Sequence, residues 1–216
     1  MTRPTPGLGR AAAAATAATL LSVAGAAAAQ AAETTTTDAP PPPTVALHAA
    51  AGEGCPDKTV DVTNAKYGIF MIRYNKLAAR VGPGVDAAES RRACTVSLKV
   101  TTARNYTWGV KTVRVDGSAS VADGAKARVD LTGFAQGDET TGDFDKTLEG
   151  PYRGAYHAGG AFTPQVRGEC GTNRGLNITA SAFVDAGSAK NKISSVNLLP
   201  AKPKNGLTVK LVSLAC

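Results

Sequence analysis

Leu176-Asn177-Ile178-Thr179-Ala180-Ser181-Ala182-Phe183-Val184-Asp185 is the segment that most clearly sets the fold class. Leu176, Ile178, Ala180, Ala182 and Val184 project to one side. Asn177, Thr179, Ser181, Phe183 and Asp185 project to the other, the period-two pattern of a β-strand with one dry and one wet face. Working outward, residues 125–134 set Ala127, Val129 and Leu131 against Lys126, Arg128, Asp130 and Thr132, and residues 94–102 set Cys94, Val96, Leu98 and Val100 against Thr95, Ser97, Lys99 and Thr101. Residues 69–74 are apolar on both sides, which predicts a strand that lies centrally or beneath a loop. Further strands are expected at 59–63, 192–198 and 207–214, and a single turn at 75–79. No run outside the N-terminal leader has helical apolar spacing, so the expected fold is all-β, a two-sheet antiparallel β-sandwich.

Turn chemistry predicts the connections. Asp116-Gly117 and Asp123-Gly124 both lie between β-patterned segments, which suggests a meander from 107 to 134 with a short edge piece at 118–122. Residues 137–156 carry Asp138, Glu139, Asp143, Asp145 and Glu149 with little alternation and read as a long, solvated acidic connection. Their spacing does not match an EF-hand loop, and no metal or other cofactor is implied.

The first 32 residues hold fourteen alanines and two charges, Arg3 and Arg10. A positive start, a weakly apolar stretch with Leu20, Leu21 and Val23, and small residues at 26–32 form a secretory signal peptide spanning 1–32, with cleavage expected between Ala29 and Glu33. No later stretch is long and apolar enough to cross a membrane as a helix. Residues 33–45 form a Thr/Pro-rich linker, where Pro40, Pro41, Pro42 and Pro43 favour a solvated polyproline II spacer outside the fold. A single sandwich domain is expected over 46–216, acting as a monomer outside the cell or at its surface.

Cys55, Cys94, Cys170 and Cys216 all follow the leader, and none forms a Cys-x-x-Cys pair. In an exported chain they read as two disulfides rather than a zinc site. The preferred pairing is Cys55 with Cys94 and Cys170 with Cys216, each bracketing a local block. The nested pairing of Cys55 with Cys216 and Cys94 with Cys170 is the alternative.

Gly54-Cys55-Pro56 before a first strand, Arg91-Arg92-Ala93-Cys94 opening another, Trp108 in the next, Gly150-Pro151, Cys170-Gly171 ahead of Leu176-Asn177-Ile178, and the terminal Cys216 together resemble a secreted family known as domain of unknown function 4360. Members often carry Pro and Gly before the strand tryptophan and a second tryptophan three residues before the last cysteine. Arg104, Asn105 and Ser213 occupy those places here. The resemblance implies a secreted β-rich domain without established activity, and transfers no catalytic residue.

His157 is the one histidine in the expected fold apart from His48 near its start, no Gly-x-Ser-x-Gly elbow is present, and there is no phosphate loop or dinucleotide fingerprint. A non-catalytic domain is expected rather than an enzyme, with no catalytic residue assigned. Hydrolysis by paired carboxylates and inhibition of secreted enzymes are the alternatives. The binding reading rests on flat rings near polar groups, with Tyr152, Arg153 and Tyr156 as candidate ligand contacts, while Trp108 is expected in the core. Net charge falls from +7 to +5 without Arg3 and Arg10, and the cations are interspersed with acids. That gives only a diffuse attraction to acidic wall polymers, and no nucleic-acid motif is present. The expected partner is an extracellular polysaccharide or cell-wall polymer. Asn105-Tyr106-Thr107 and Asn177-Ile178-Thr179 are sequons, with Asn177 on the wet face of its strand.

Overall fold

The computed structural model describes residues 39–172, 174–198 and 206–216. The signal peptide read at 1–32 and the start of the linker, 33–38, lie outside the described residues. In chain order the strands are β1 (Thr44–Ala51), β2 (Val60–Asn64), β3 (Ile69–Tyr74), β4 (Ala78–Val81), β5 (Arg91–Thr101) and β6 (Tyr106–Val121). They continue with β7 (Lys126–Ala135), β8 (Thr141–Glu149), β9 (Tyr152–Gly160), β10 (Leu176–Asp185), β11 (Ser194–Asn197) and β12 (Gly206–Ala215). All pairings are antiparallel, and the strands fall into two sheets as the alternation predicts.

The first sheet runs β1-β5-β10-β7-β8, with the decisive stretch as its central strand. Leu176, Ile178, Ala180, Ala182 and Val184 are all buried in the core, beside Cys94, Val96 and Leu98 of β5 on one flank and Ala127, Val129 and Leu131 of β7 on the other. The second sheet runs β2-β3-β12-β6-β11-β4 with β9 added to β6. Val113–Val121 of β6 pairs with β9 along one edge, while β12 and then β11 share the opposite edge. Phe70, Ile72 and Tyr74 of β3, with Leu207, Val209 and Leu211 of β12, face the first sheet across the core. Burying such side chains contributes about 1.5–3 kcal/mol each. Both disulfides take the local pairing, Cys55 to Cys94 and Cys170 to Cys216.

Several sequence expectations are corrected. Asp116-Gly117 is not a turn but lies inside the 16-residue strand β6, where the neighbour on one edge changes from β12 to β11. Glycine is required there by packing: a Cβ on Gly117 would stand 2.1 Å from the Asn197 carbonyl oxygen and 2.5 Å from the Tyr156 hydroxyl. Residues 118–122, expected at an edge, therefore belong to the middle of a sheet. Asp123-Gly124 does turn, but it carries the chain from one sheet to the other. Only Gly124 takes positive φ, at 84°, whereas a type I′ hairpin needs two such residues.

The acidic stretch at 137–156 is not one long connection, since β8 and the start of β9 lie within it. Its inward positions include Gly142 and Lys146, which hide the alternation. The turn expected at 75–79 gives way to β4, and a short 3₁₀ turn occurs at Ala87–Ser90 instead. At the other end, residues 39–43 are not a free spacer. Pro43 is buried, and the Pro41 carbonyl accepts a 2.7 Å hydrogen bond from the Ser213 hydroxyl. The next residues form β1, with Val45 held by both amide atoms of Asn64 at 2.9 and 2.7 Å.

Candidate functional site

Phe183 breaks the pattern of its own strand. It is a large apolar ring on the wet side of β10, 39% exposed, with Asn177, Thr179, Ser181 and Asp185 as its companions on that face. Registry places Arg91 of β5 directly across from it on one flank and Arg128 of β7 directly across on the other. A shallow groove of about 440 Å³ runs over these residues, continuing past Lys126, Asp130 and Asp185.

Neighbouring carboxylates hold two of the cations in place. Lys126 Nζ lies 2.9 Å from Glu149 Oε1, and the Arg128 guanidinium spans both oxygens of Asp130, with its Nε 2.6 Å from Oδ1. The Glu149 hydrogen bond raises the Lys126 ammonium above its ordinary value, and the Asp130 bond does the same for Arg128. Both side chains are thus charged throughout the neutral range. Arg91 has no ion pair among the described residues, which leaves its donors facing the groove uncommitted. A ring of apolar area surrounded by fixed donors and acceptors is chemically suited to a polyhydroxylated ligand, which offers C–H faces for stacking and hydroxyls for hydrogen bonds.

The residues singled out from the sequence sit elsewhere. Tyr152, Arg153 and Tyr156 lie on β9 rather than in a loop, and the strand points them to opposite faces. Tyr156 is 3% exposed, and its hydroxyl donates to the Asn197 carbonyl at 3.0 Å, so it is a core residue and not a ligand contact. Tyr152 is half-buried against the core with its hydroxyl on the Ala155 carbonyl, while Arg153 alone is exposed. Trp108 is in the core as expected, its indole N–H donating to the Arg174 carbonyl at 3.1 Å. His157 hydrogen-bonds the buried carboxylate of Asp116, and His48 lies exposed on β1. Asn177, read as the accessible sequon, is only 8% exposed on the central strand, between Ser97 of β5 and Phe134 of β7; Asn105 is the exposed one. Phe183 was missed, although its signal was visible as the one bulky apolar residue on an otherwise polar face.

A larger cleft of about 760 Å³ opens near the Cys170–Cys216 disulfide, lined in part by Asp138, Glu139, Arg167, Glu169 and Arg174. Among the described residues no aromatic ring lines it. Arg174 is committed to Glu169 at 3.0 Å, and the backbone N–H of Thr140 holds the Asp138 carboxyl below its ordinary value.

A family model described as "Domain of unknown function (DUF4360)" matches residues 42–212. The chain belongs to DUF4360. The DUF4360 match takes in β1, in keeping with its pairing on β5. An "Uncharacterized secreted protein" of Arthroderma benhamiae (strain ATCC MYA-4681 / CBS 112371) is 26% identical over 138 residues, 62% of this chain and 56% of that relative. The chain thus spans little more than half the relative's length. Among solved structures, that of TmCBM61 in complex with β-1,4-galactotriose aligns with 81% of this chain and 89% of its own at 12% identity and a TM-score of 0.27.

Proposed function

We propose that this DUF4360 protein is exported and acts as a non-catalytic, monomeric binding domain at or outside the cell surface, holding a polysaccharide or cell-wall polymer in the Phe183 groove. Export is supported by the leader at 1–32, by two disulfides and by the description of the Arthroderma benhamiae relative as secreted. The observation that carries the ligand assignment is Phe183, an exposed ring near the end of the central strand of a sheet, with an arginine directly across on each side. Single exposed apolar residues are ordinary on protein surfaces; a ring seated in a groove with prepositioned hydrogen-bonding groups is less so.

Retention of the chain lacking residues 1–32 on insoluble polysaccharide and wall preparations tests this reading. Phe183→Ala, with an unchanged melting temperature, is expected to weaken retention at least tenfold. Equal retention of the variant, or no retention on any preparation, overturns it.

A further inference from the structure

Resting on that reading, the charges around Phe183 narrow the ligand class. The chain as a whole is basic, at +7, which by itself would favour polyanionic wall polymers. The outer face of the first sheet has the opposite balance. Its strands β10, β7 and β8 carry Asp185, Asp130, Asp143, Asp145 and Glu149 at outward register positions. Lys126 and Arg128 on those strands, with Arg91 and Lys99 on β5, oppose them.

Two of these four cations are already neutralised, Lys126 by Glu149 and Arg128 by Asp130. Asp145 stands directly across from Asp130 and adds a second negative charge beside Arg128. A carboxylate- or phosphate-bearing polymer laid along this face would meet, among the described residues, three unpaired carboxylates, Asp143, Asp145 and Asp185, against two unpaired cations, Arg91 and Lys99, a net repulsion. A hydroxyl-bearing neutral polymer meets no such repulsion: its hydroxyls donate to the carboxylates and accept from Arg91, and a pyranose face covers Phe183.

We infer that the groove is selective for neutral polysaccharides, and that the basic charge of the chain lies away from the binding face. The test compares retention on an insoluble neutral β-glucan, a neutral galactan, cross-linked polygalacturonate and chitosan at about 20 and about 500 mM salt. At these ionic strengths the screening length falls several-fold, so a charge-driven contact weakens strongly. Expected is retention on at least one neutral polymer, changing less than twofold with salt and lost in Phe183→Ala. Phe183-dependent binding confined to polygalacturonate or to chitosan overturns the neutral selectivity while leaving the groove as a binding site. Absence of binding to all four and to wall preparations overturns the binding reading itself.

Discussion

His157 of β9 stands directly across the strand pairing from Asp116 of β6, and its Nδ1 is hydrogen-bonded to the Asp116 carboxylate. Arg114 closes on the same carboxylate with its Nε at 3.0 Å from both oxygens. Asp116 is thereby kept ionised on the outer face of the second sheet, although its side chain is only 7% exposed. Burial alone would raise its pKa; the bonds from Arg114 and His157 outweigh that and leave it below the ordinary carboxylate value. Its contribution to stability is therefore complete above the unfolded pKa near 4 and is lost as pH falls through the lower folded value. Asp116→Asn is expected to unfold about 1–2 kcal/mol more easily at pH 7, a modest loss because Arg114 and His157 are exposed enough to be solvated. Chemical denaturation at pH 7 and pH 3 checks this: the gap between wild type and variant should shrink in acid.

Gly117→Ala puts a methyl group where the Asn197 carbonyl and the Tyr156 hydroxyl already sit. Overpacking of this kind costs about 1–3 kcal/mol, and the upper end is expected because one obstacle is backbone. Gly159→Ala on the neighbouring strand is the control, since its Cβ meets nothing closer than 3.4 Å. Urea midpoints that fall equally in both variants would contradict the packing explanation.

Tyr74 is fully buried in the core, and its hydroxyl has no hydrogen-bond partner among the described residues. Removing an unsatisfied buried hydroxyl while keeping the ring relieves its desolvation cost, about 1 kcal/mol or more. Tyr74→Phe should then melt about 2–4 °C higher by calorimetry. A lower melting temperature would mean that the hydroxyl is satisfied in solution.

The disulfides differ in accessibility. Cys55 and Cys94 are 3% and 0% exposed, whereas Cys170 and Cys216 lie at the surface beside the large cleft. Thiolate attack needs access, so mild reductant should open Cys170–Cys216 first and leave Cys55–Cys94 closed until the chain unfolds. Alkylation and peptide mapping over time reads the order. Permanent removal of the Cys170–Cys216 bridge, which joins residues 46 apart, is expected to cost about 4 kcal/mol on the loop-closure model.

Strands with one wet face were legible because their period-two pattern is local: β5, β7 and β10 are readable from their own side chains. The edge strands β1, β4 and β8 and the glycine-rich β9 were not. In β8, Lys146 and Gly142 stand where bulky apolar residues would have marked the inward face, and in β9 glycines replace the pattern altogether. Asp116-Gly117 misled for a related reason. The same dipeptide serves a turn, which needs positive φ, or a crowded strand, which needs an absent Cβ, and only the atoms of Tyr156 and Asn197 distinguish the two.

By itself the sequence determined the all-β class, the dry face of the principal strands and the local cysteine pairing as the preferred one of three. Each depends on alternation or on spacing along the chain. The tertiary structure decided which strands are neighbours, and with that the site. Arg91 and Arg128 are far from Phe183 in sequence, and antiparallel registry alone brings one to each side of it. The same registry buried Tyr156 and gathered the carboxylates of three strands onto one face, because a sheet adds side chains across strands that no single stretch of chain contains.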